Sequence, residues 1–467
     1  MVREARERRV KKAEKTSNSL AGAVLAWFIV AAVLVGLGVL ASRLFEWQPP
    51  VIKLSAAASV LGSKTDLVAT VSDQGSGVKE VQAVIRQGKK EVVLFDRQYP
   101  RASFFSGGLK TVEAPIKIDT AALGLSDGPA EFMVAARDYS LWQWARGNQA
   151  IDLRAVTLDT KPPRLRVIDL PTVIKQGGAG IVIYGANEPL VHHGVTIDGV
   201  FHPGYPVPGR KGEVFGAMIA IPYDTDAPKS VAITAQDQAG NAATLPISLR
   251  VRAVPKRIGT INLSDHFLEV KMPEFAQHYP AMKGTPVEQY LFVNREVRDQ
   301  NDVQIRKVCA TPDAERHWQG RFLRLERGAP MAGFADYRTY FYQGKEIDHQ
   351  VHLGVDLASV QNAKVQAANN GRVAFADYLG IYGNAIIIDH GQGVFSLYAH
   401  LSELKVKPGD VVKTGDEIGL TGTTGMAGGD HLHFAMLVNG VFVTPVEWWD
   451  EHWIRDNIDR FLTDGKE

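Results

Sequence analysis

Apolar and polar positions alternate along most of this chain, and the places where the rhythm breaks divide it into segments. The first break is a run without charge from Ser17 to Ser42, nearly all apolar from Leu20 onward. About twenty such residues make a helix long enough to cross a hydrocarbon core. Residues 1–16 before it carry seven Lys or Arg against three Glu, and a basic flank stays in the cytoplasm. Residues 1–16 are therefore predicted as a cytoplasmic tail and residues 17–45 as a transmembrane anchor. A cleaved signal peptide with Val39-Leu40-Ala41 at its cleavage site competes. The apolar run is longer than the ~7–15 residues of a signal core, which favours the uncleaved anchor. Either reading exports the rest of the chain.

Beyond Pro49-Pro50 the pattern has period two, as in Asp66-Leu67-Val68-Ala69-Thr70-Val71, and this predicts half-buried strands. Pro162-Pro163 opens a second segment of the same kind, with Arg164-Leu165-Arg166-Val167-Ile168 echoing Val51-Ile52-Lys53-Leu54. Phe132–Asp138 and Val231–Asp237 echo each other near the two ends. Residues 46–160 and 161–254 therefore read as tandem β-sandwiches. Residues 255–335 do not continue the β pattern. Met272–Tyr279 and Pro286–Gln300 predict helices, the second with Thr285 as N-cap, Pro286 at the first position and Glu288 completing a capping box. Residues 336–450 return to strands such as Asn384–Asp389 and Val394–Ala399. Residues 451–467 read as a short helix packed through Trp453, Ile454 and Phe461. The fold class is mainly β.

Composition narrows the chemistry. Lys and Arg number 52 against 51 Asp and Glu, a net charge of +1. With no basic stripe, nucleic acid is not an expected partner. The one cysteine, Cys309, excludes an internal disulfide and a cysteine-ligated zinc site, and reads as a small buried apolar residue.

The chemistry concentrates in His352-Leu353-Gly354-Val355-Asp356 and His431-Leu432-His433. His and Asp four apart offer a nitrogen and an oxygen ligand. Histidines two apart on a strand share a face. Either piece alone is weak, but together they can close a site with three protein ligands and an open position, the pattern of catalytic zinc. Between them lies Tyr398-Ala399-His400-Leu401, and a Gly-rich turn from Gly419 to Asp430 feeds into His431. No His-Glu-x-x-His helix is present, so a glutamate base of that kind is not available. His349 falls on the opposite strand face from His352. His390 reads as structural. His192, His193 and His202 have no carboxylate or Cys to complete a second metal site.

From about Asp336 to Trp449 these motifs resemble the lysostaphin-type (LytM-type) zinc metallopeptidases, which cut peptide bonds in bacterial peptidoglycan. The resemblance rests on His352 with Asp356, on Tyr398-Ala399-His400-Leu401 and on His431-Leu432-His433-Phe434. Asp389-His390-Gly391 and Lys407-Pro408-Gly409-Asp410 add to it. It implies that His352, Asp356 and His433 hold Zn2+, while His400 and His431 act on the substrate. Two positions depart from the pattern: Asp430 stands where many relatives have Pro, and Ala435 where many have Glu. Neither is a functional position, and the five functional positions are intact, unlike those of degenerate relatives that lost zinc and activate other hydrolases. The turn at Asp237-Gln238-Ala239-Gly240-Asn241 resembles that of bacterial Ig-like surface modules, so the two sandwiches are expected to be Ig-like. They would serve as spacers, or else bind an envelope protein partner or a glycan, with Trp142 and Trp144 as a suggestive aromatic pair. The expectation is a membrane-anchored, exported zinc endopeptidase acting on stem peptides or cross-bridges of peptidoglycan. The alternative is a non-catalytic envelope factor of the same fold. The insert at 255–335 is expected either to border the zinc groove or to dock away from it.

Overall fold

The computed structural model describes residues 23–41, 45–56, 59–101 and 107–463. The predicted basic tail, residues 17–22 and 42–44 of the predicted anchor, and residues 464–467 lie outside the described residues. Ala23–Ala41 is one helix of 19 residues, long and apolar enough to cross a membrane. Beyond it strands predominate over helices, as the alternation predicts. The chain divides into two compact units, Met1–Lys161 with Ala239–Asn241, and Pro162–Gln238 with Ala242–Glu467.

The first unit closes one core between two sheets. Val51–Leu54, Lys64–Ser72 and Thr111–Asp119 form the first sheet. The second runs Val60–Leu61, Gln149–Leu158, Gly128–Asp138, Val78–Gln87, Lys90–Gln98. The period-two pattern explains the packing. Along Thr111–Asp119 the residues Val112, Ala114, Ile116 and Ile118 are buried while their neighbours are exposed or half-exposed, and they share a core with Val81, Ala83, Ile85 and Val134.

The second unit begins with a seven-stranded sheet in the order Ala242–Pro246, Val231–Asp237, Leu190–Ile197, Val200–Pro206, Glu213–Ala220, Ala179–Ala186, Leu165–Asp169. This is not the arrangement of the first unit, so the expected tandem repeat does not extend to topology. The echoed motifs specify a strand and its turn, whereas strand order is set by longer-range pairing. Ala179–Ala186 and Glu213–Ala220 are buried almost throughout because both faces of this sheet are covered. Val182, Tyr184, Phe215 and Ile219 pack on one side. Ile181, Ile183, Met218 and Ala220 join Trp318, Phe322, Trp448, Ile454, Ile458 and Phe461 on the other. The second segment read as a sandwich thus shares a core with the C-terminal domain. The terminal helical segment from Glu451 to Thr463 supplies Ile454 and Phe461 to that joint, as their apolar spacing predicts.

The centre of the C-terminal domain is a ten-stranded sheet. Its main path runs Ala329–Ala332, Val355–Ala358, Leu432–Val438, Val394–Leu404, Asn384–Asp389, Gly371–Tyr378, Val411–Val412. Beside it, Asp336–Tyr342 pairs with Lys345–His352 and, in parallel, with Arg257–Leu263. Arg257–Leu263 corrects the expectation that no strand lies in 255–335. Most of its residues are exposed, so no burial rhythm marks it in the sequence, and its order comes from the pairing. The helices of the insert are Asp265–His278, capped by Ser264, and Pro286–Phe292, whose Thr285–Glu288 capping box forms as predicted. The second continues through a π turn at Val293–Val297 into Arg298–Val308. Leu268, Phe275, Val293 and Ile305 pack against Ile387, Phe395, Leu397 and Leu437. The insert therefore forms half of a core on the sheet that carries His400 and His433.

Candidate metal centre

Three neighbouring strands bring the motifs together. His433 lies opposite Asp356 on one side and opposite Ala399 on the other. His352 ends the strand that turns through Leu353-Gly354 into Asp356. A Cβ on Gly354 would fall 2.5 Å from the His433 ring and 2.9 Å from the Phe434 carbonyl, so only glycine allows that turn to pass so close. Nε2 of His352, Nδ1 of His433 and Oδ1 of Asp356 each lie 2.9 Å from the other two. All three residues are buried.

The protons show what this triangle can hold. Gly333 O accepts the Nδ1–H of His352 at 2.8 Å, so in the neutral ring Nε2 carries only a lone pair. It faces a carboxylate oxygen, which also only accepts. Two acceptors held that close need a proton or a metal cation between them, and two imidazoles with a carboxylate are a zinc donor set. Three atoms at this spacing lie ~1.7 Å from their common centre, less than the ~2.0–2.1 Å of a zinc–nitrogen bond. His352, Asp356 and His433 would hold such an ion through one atom each. The residues fit zinc. Burial works to raise the Asp356 pKa, but hydrogen bonding to His352, His431 and His433 outweighs it and holds the carboxyl well below the usual carboxylate range. Arg338 Nη2 reaches the other oxygen of Asp356 at 3.4 Å.

His400 and His431 border the triangle. Their ring centroids are 4.8 Å apart, and that of His400 is 5.7 Å from that of His433. His431 Nε2 lies 3.6 Å from Asp356 Oδ1. Each ring is tied back through Nδ1–H, His400 to Thr424 O at 2.9 Å and His431 to Gly429 O at 2.8 Å. That leaves Nε2 of His400 without a hydrogen bond among the described residues and turns Nε2 of His431 toward Asp356. His400 has φ 63° and sits where the register slips against Asn384–Asp389; a bulge here re-aims a side chain. The two pKa values move apart. Burial, then the charges of His431 and His433, push His400 well below an ordinary histidine. For His431 burial acts downward, but the Asp356 carboxylate outweighs it and the pKa rises. Burial takes His433 to about 4.

A cavity of about 510 Å³ opens on all five side chains. The insert contributes Phe267, Tyr290 and Arg298 to its lining. Of the two placements anticipated for the insert, the molecule adopts the one beside the groove. The insert also grips the Gly-rich turn: Lys271 Nζ donates to Thr423 O, and Gly425 N donates to Glu274 Oε1 at 2.7 Å. Asp430 holds the same loop, accepting from Thr421 Oγ1 at 2.6 Å and from Asn362 N at 3.1 Å. A larger cavity of about 640 Å³, lined by Lys175, Arg257, Tyr337 and Trp449, contains none of the five.

The remaining histidines have other partners. His349 is exposed and meets Glu346 at 2.9 Å. His390 is buried between Asn370 O and Ser396 Oγ, both at 2.7 Å. His193 bonds Tyr184 Oη and His202 bonds Asn439. Cys309 is buried and unpaired. Trp142 and Trp144 are exposed. The residues that the motifs do not reveal act mostly through backbone atoms, namely the carbonyls of Gly333, Thr424 and Gly429, or come from the insert.

Comparison with known proteins bears on this same part of the chain. Residues 350–445 match the model described as Peptidase family M23; this part of the chain is a LytM-type peptidase domain. Over 97 residues the chain is 42% identical to the DD-carboxypeptidase/endopeptidase Mpg of Neisseria meningitidis serogroup B, 21% of this chain and 22% of that protein. Over 95 residues it is 34% identical to the murein hydrolase activator EnvC of Escherichia coli, 20% of this chain and 23% of that one. The chain thus matches less than a quarter of the length of these relatives. The catalytic domain of lysostaphin from Staphylococcus simulans aligns with a TM-score of 0.24 at 30% identity, over 27% of this chain and 96% of that domain.

Proposed function

We propose that this chain is a membrane-anchored zinc endopeptidase of the cell envelope that hydrolyses a D,D-amide in peptidoglycan cross-links. The observation that carries the reading is the triangle of His352 Nε2, His433 Nδ1 and Asp356 Oδ1, each 2.9 Å from the others, with two further imidazoles beside it. His352, His433 and Asp356 would hold the ion. Bound there, zinc supplies Lewis acidity to the scissile carbonyl and to the attacking water. His400, kept neutral by burial and anchored through Nδ1, accepts the water's proton at Nε2. His431, its pKa raised beside Asp356, presents Nε2–H to the oxyanion and then to the leaving amine. Ala23–Ala41 anchors the chain, and the exposed Trp142 and Trp144 on the first unit are where an envelope partner or glycan would dock.

A second reading, a non-catalytic activator of another hydrolase, is raised by the name of the EnvC relative. Purified sacculi separate the two. The whole chain with zinc is expected to release uncross-linked muropeptides, and chelation or His433→Ala to abolish the release. A zinc-loaded, folded chain that releases nothing alone yet stimulates an added amidase would establish the activator instead.

A further inference from the structure

The groove that opens on the metal triangle is also lined by a cation without a carboxylate partner among the described residues. Arg298 is half-buried and lines the groove. Its Nε donates to Asn294 O at 3.2 Å and its Nη2 to Asn294 Oδ1 at 2.7 Å, both neutral acceptors. The nearby carboxylate of Asp348 is already taken, by Arg295 Nε at 3.1 Å and Asn294 Nδ2 at 2.8 Å. Asp302, one helical turn on, feels the charge of Arg298, but no ion pair joins them among the described residues. Nη1 is left without a hydrogen bond among the described residues. Beside Arg298 stands Tyr290, 1% exposed, which lines the same groove and whose buried hydroxyl has no partner of ordinary hydrogen-bond geometry, although Tyr340 is close. The other groove guanidinium, Arg338, is turned to Asp356.

A fixed guanidinium edge with a buried tyrosine hydroxyl beside it fits a carboxylate. We infer that Arg298 and Tyr290 form a subsite for the free carboxylate borne by the leaving amine of the scissile amide. The inference rests on the D,D-peptidase reading above. In a D,D-amide the amine belongs to a D-centre whose own carboxylate is free, in a pentapeptide terminus and in a direct diamino-acid cross-link alike. A glycine bridge has no carboxylate at that position. The subsite would therefore select the first class of bond over the second.

The test compares an acetylated peptide ending in D-Ala–D-Ala with the same peptide as its C-terminal carboxamide. Binding is measured by calorimetry on the whole chain in chelator, where neither turnover nor a metal contributes. A charge-assisted contact predicts that the carboxylate binds about tenfold or more tightly than the amide. Arg298→Gln is expected to erase that difference while leaving affinity for the amide unchanged, Arg298→Lys to restore part of it, and Tyr290→Phe to reduce it severalfold. Equal affinities in the wild type, no binding of either peptide, or a preference that survives Arg298→Gln would overturn the subsite. Zinc-loaded cleavage of the two peptides is read separately: failure to cut either counts against the peptidase reading and leaves the binding result standing.

Discussion

Individual residues in the metal centre do work that their motifs only partly announce. His352, Asp356, His400, His431 and His433 are legible in the sequence because spacing on strands places them, and the molecule brings all five to one cavity. The atoms that orient three of them are carbonyls of Gly333, Thr424 and Gly429, and a backbone carbonyl leaves no mark in a sequence. Gly354 does leave one, and its meaning is steric. Gly354→Ala would drive a methyl against the His433 ring. The expected result is a loss of ~10–100-fold in zinc affinity, the range found when groups supporting a ligand are disturbed, with the fold retained. Competition against a chromogenic chelator would measure it, and unchanged affinity would show that the ring has room to move. A second residue-scale prediction concerns Asp73 in the first unit. Burial, with Glu46 and Asp138 adding negative charge, raises its pKa to about 6, against ~3.9 in an unfolded chain. The folded state then holds the proton more tightly between those values. Its contribution is most favourable below ~4 and declines as pH rises to about 6. A fragment of residues 45–161 is expected to melt higher at pH 5 than at pH 7, and Asp73→Asn to flatten the difference. A wild-type midpoint that rises with pH would contradict this.

At the scale of elements, the insert shows what local chemistry can and cannot convey. Thr285, Pro286 and Glu288 specify a helix start through contacts within one turn, so that start is visible in the sequence and forms as written. The strand Arg257–Leu263 owes its order to a partner some eighty positions away, and its mostly exposed residues carry no rhythm to reveal it. Where the insert packs is likewise not a local matter. Its helices cover the sheet face beneath His400 and His433, with Phe275 and Ile305 fully buried there. Removing residues 264–310 is thus expected to unfold the domain rather than unmask its groove, because Ile387, Phe395, Leu397 and Leu437 would all lose their cover. A point change is the informative experiment. Phe275→Ala should cost ~3–5 kcal/mol of stability, read from urea unfolding of residues 162–463, and at temperatures where the variant stays folded its zinc content should match the wild type. A cost below ~1 kcal/mol would mean that the insert is a loosely held cover rather than half of a core.

At the scale of the molecule, the working unit is larger than the segment that carries the motifs. Residues 350–445 match the family model, yet this stretch does not contain its own core. Trp318 and Phe322 come from before it, Ile454 and Phe461 from after it, and Ile181, Met218 and Ala220 from the seven-stranded sheet. The Glu447 carboxylate is buried in the same joint, bonded to Ala179 N at 3.4 Å and facing Lys175 at 3.4 Å. A domain that has to bury both faces of its sheet cannot tolerate the loss of either cover, since each exposed apolar side chain costs ~1.5–3 kcal/mol against a total stability of only ~5–15 kcal/mol. A fragment of residues 336–450 is therefore expected to aggregate or stay unfolded, whereas 162–463 should unfold in one cooperative transition. Zinc sharpens the contrast, because an ion that binds only the folded site stabilises it by ~4 kcal/mol at a thousandfold excess over Kd. The calorimetric midpoint of 162–463 should rise with zinc and fall back in His433→Ala, and that of 45–161 should not respond. Two separate transitions in 162–463, with only one moved by zinc, would show instead that the seven-stranded sheet is an independent module resting on the peptidase.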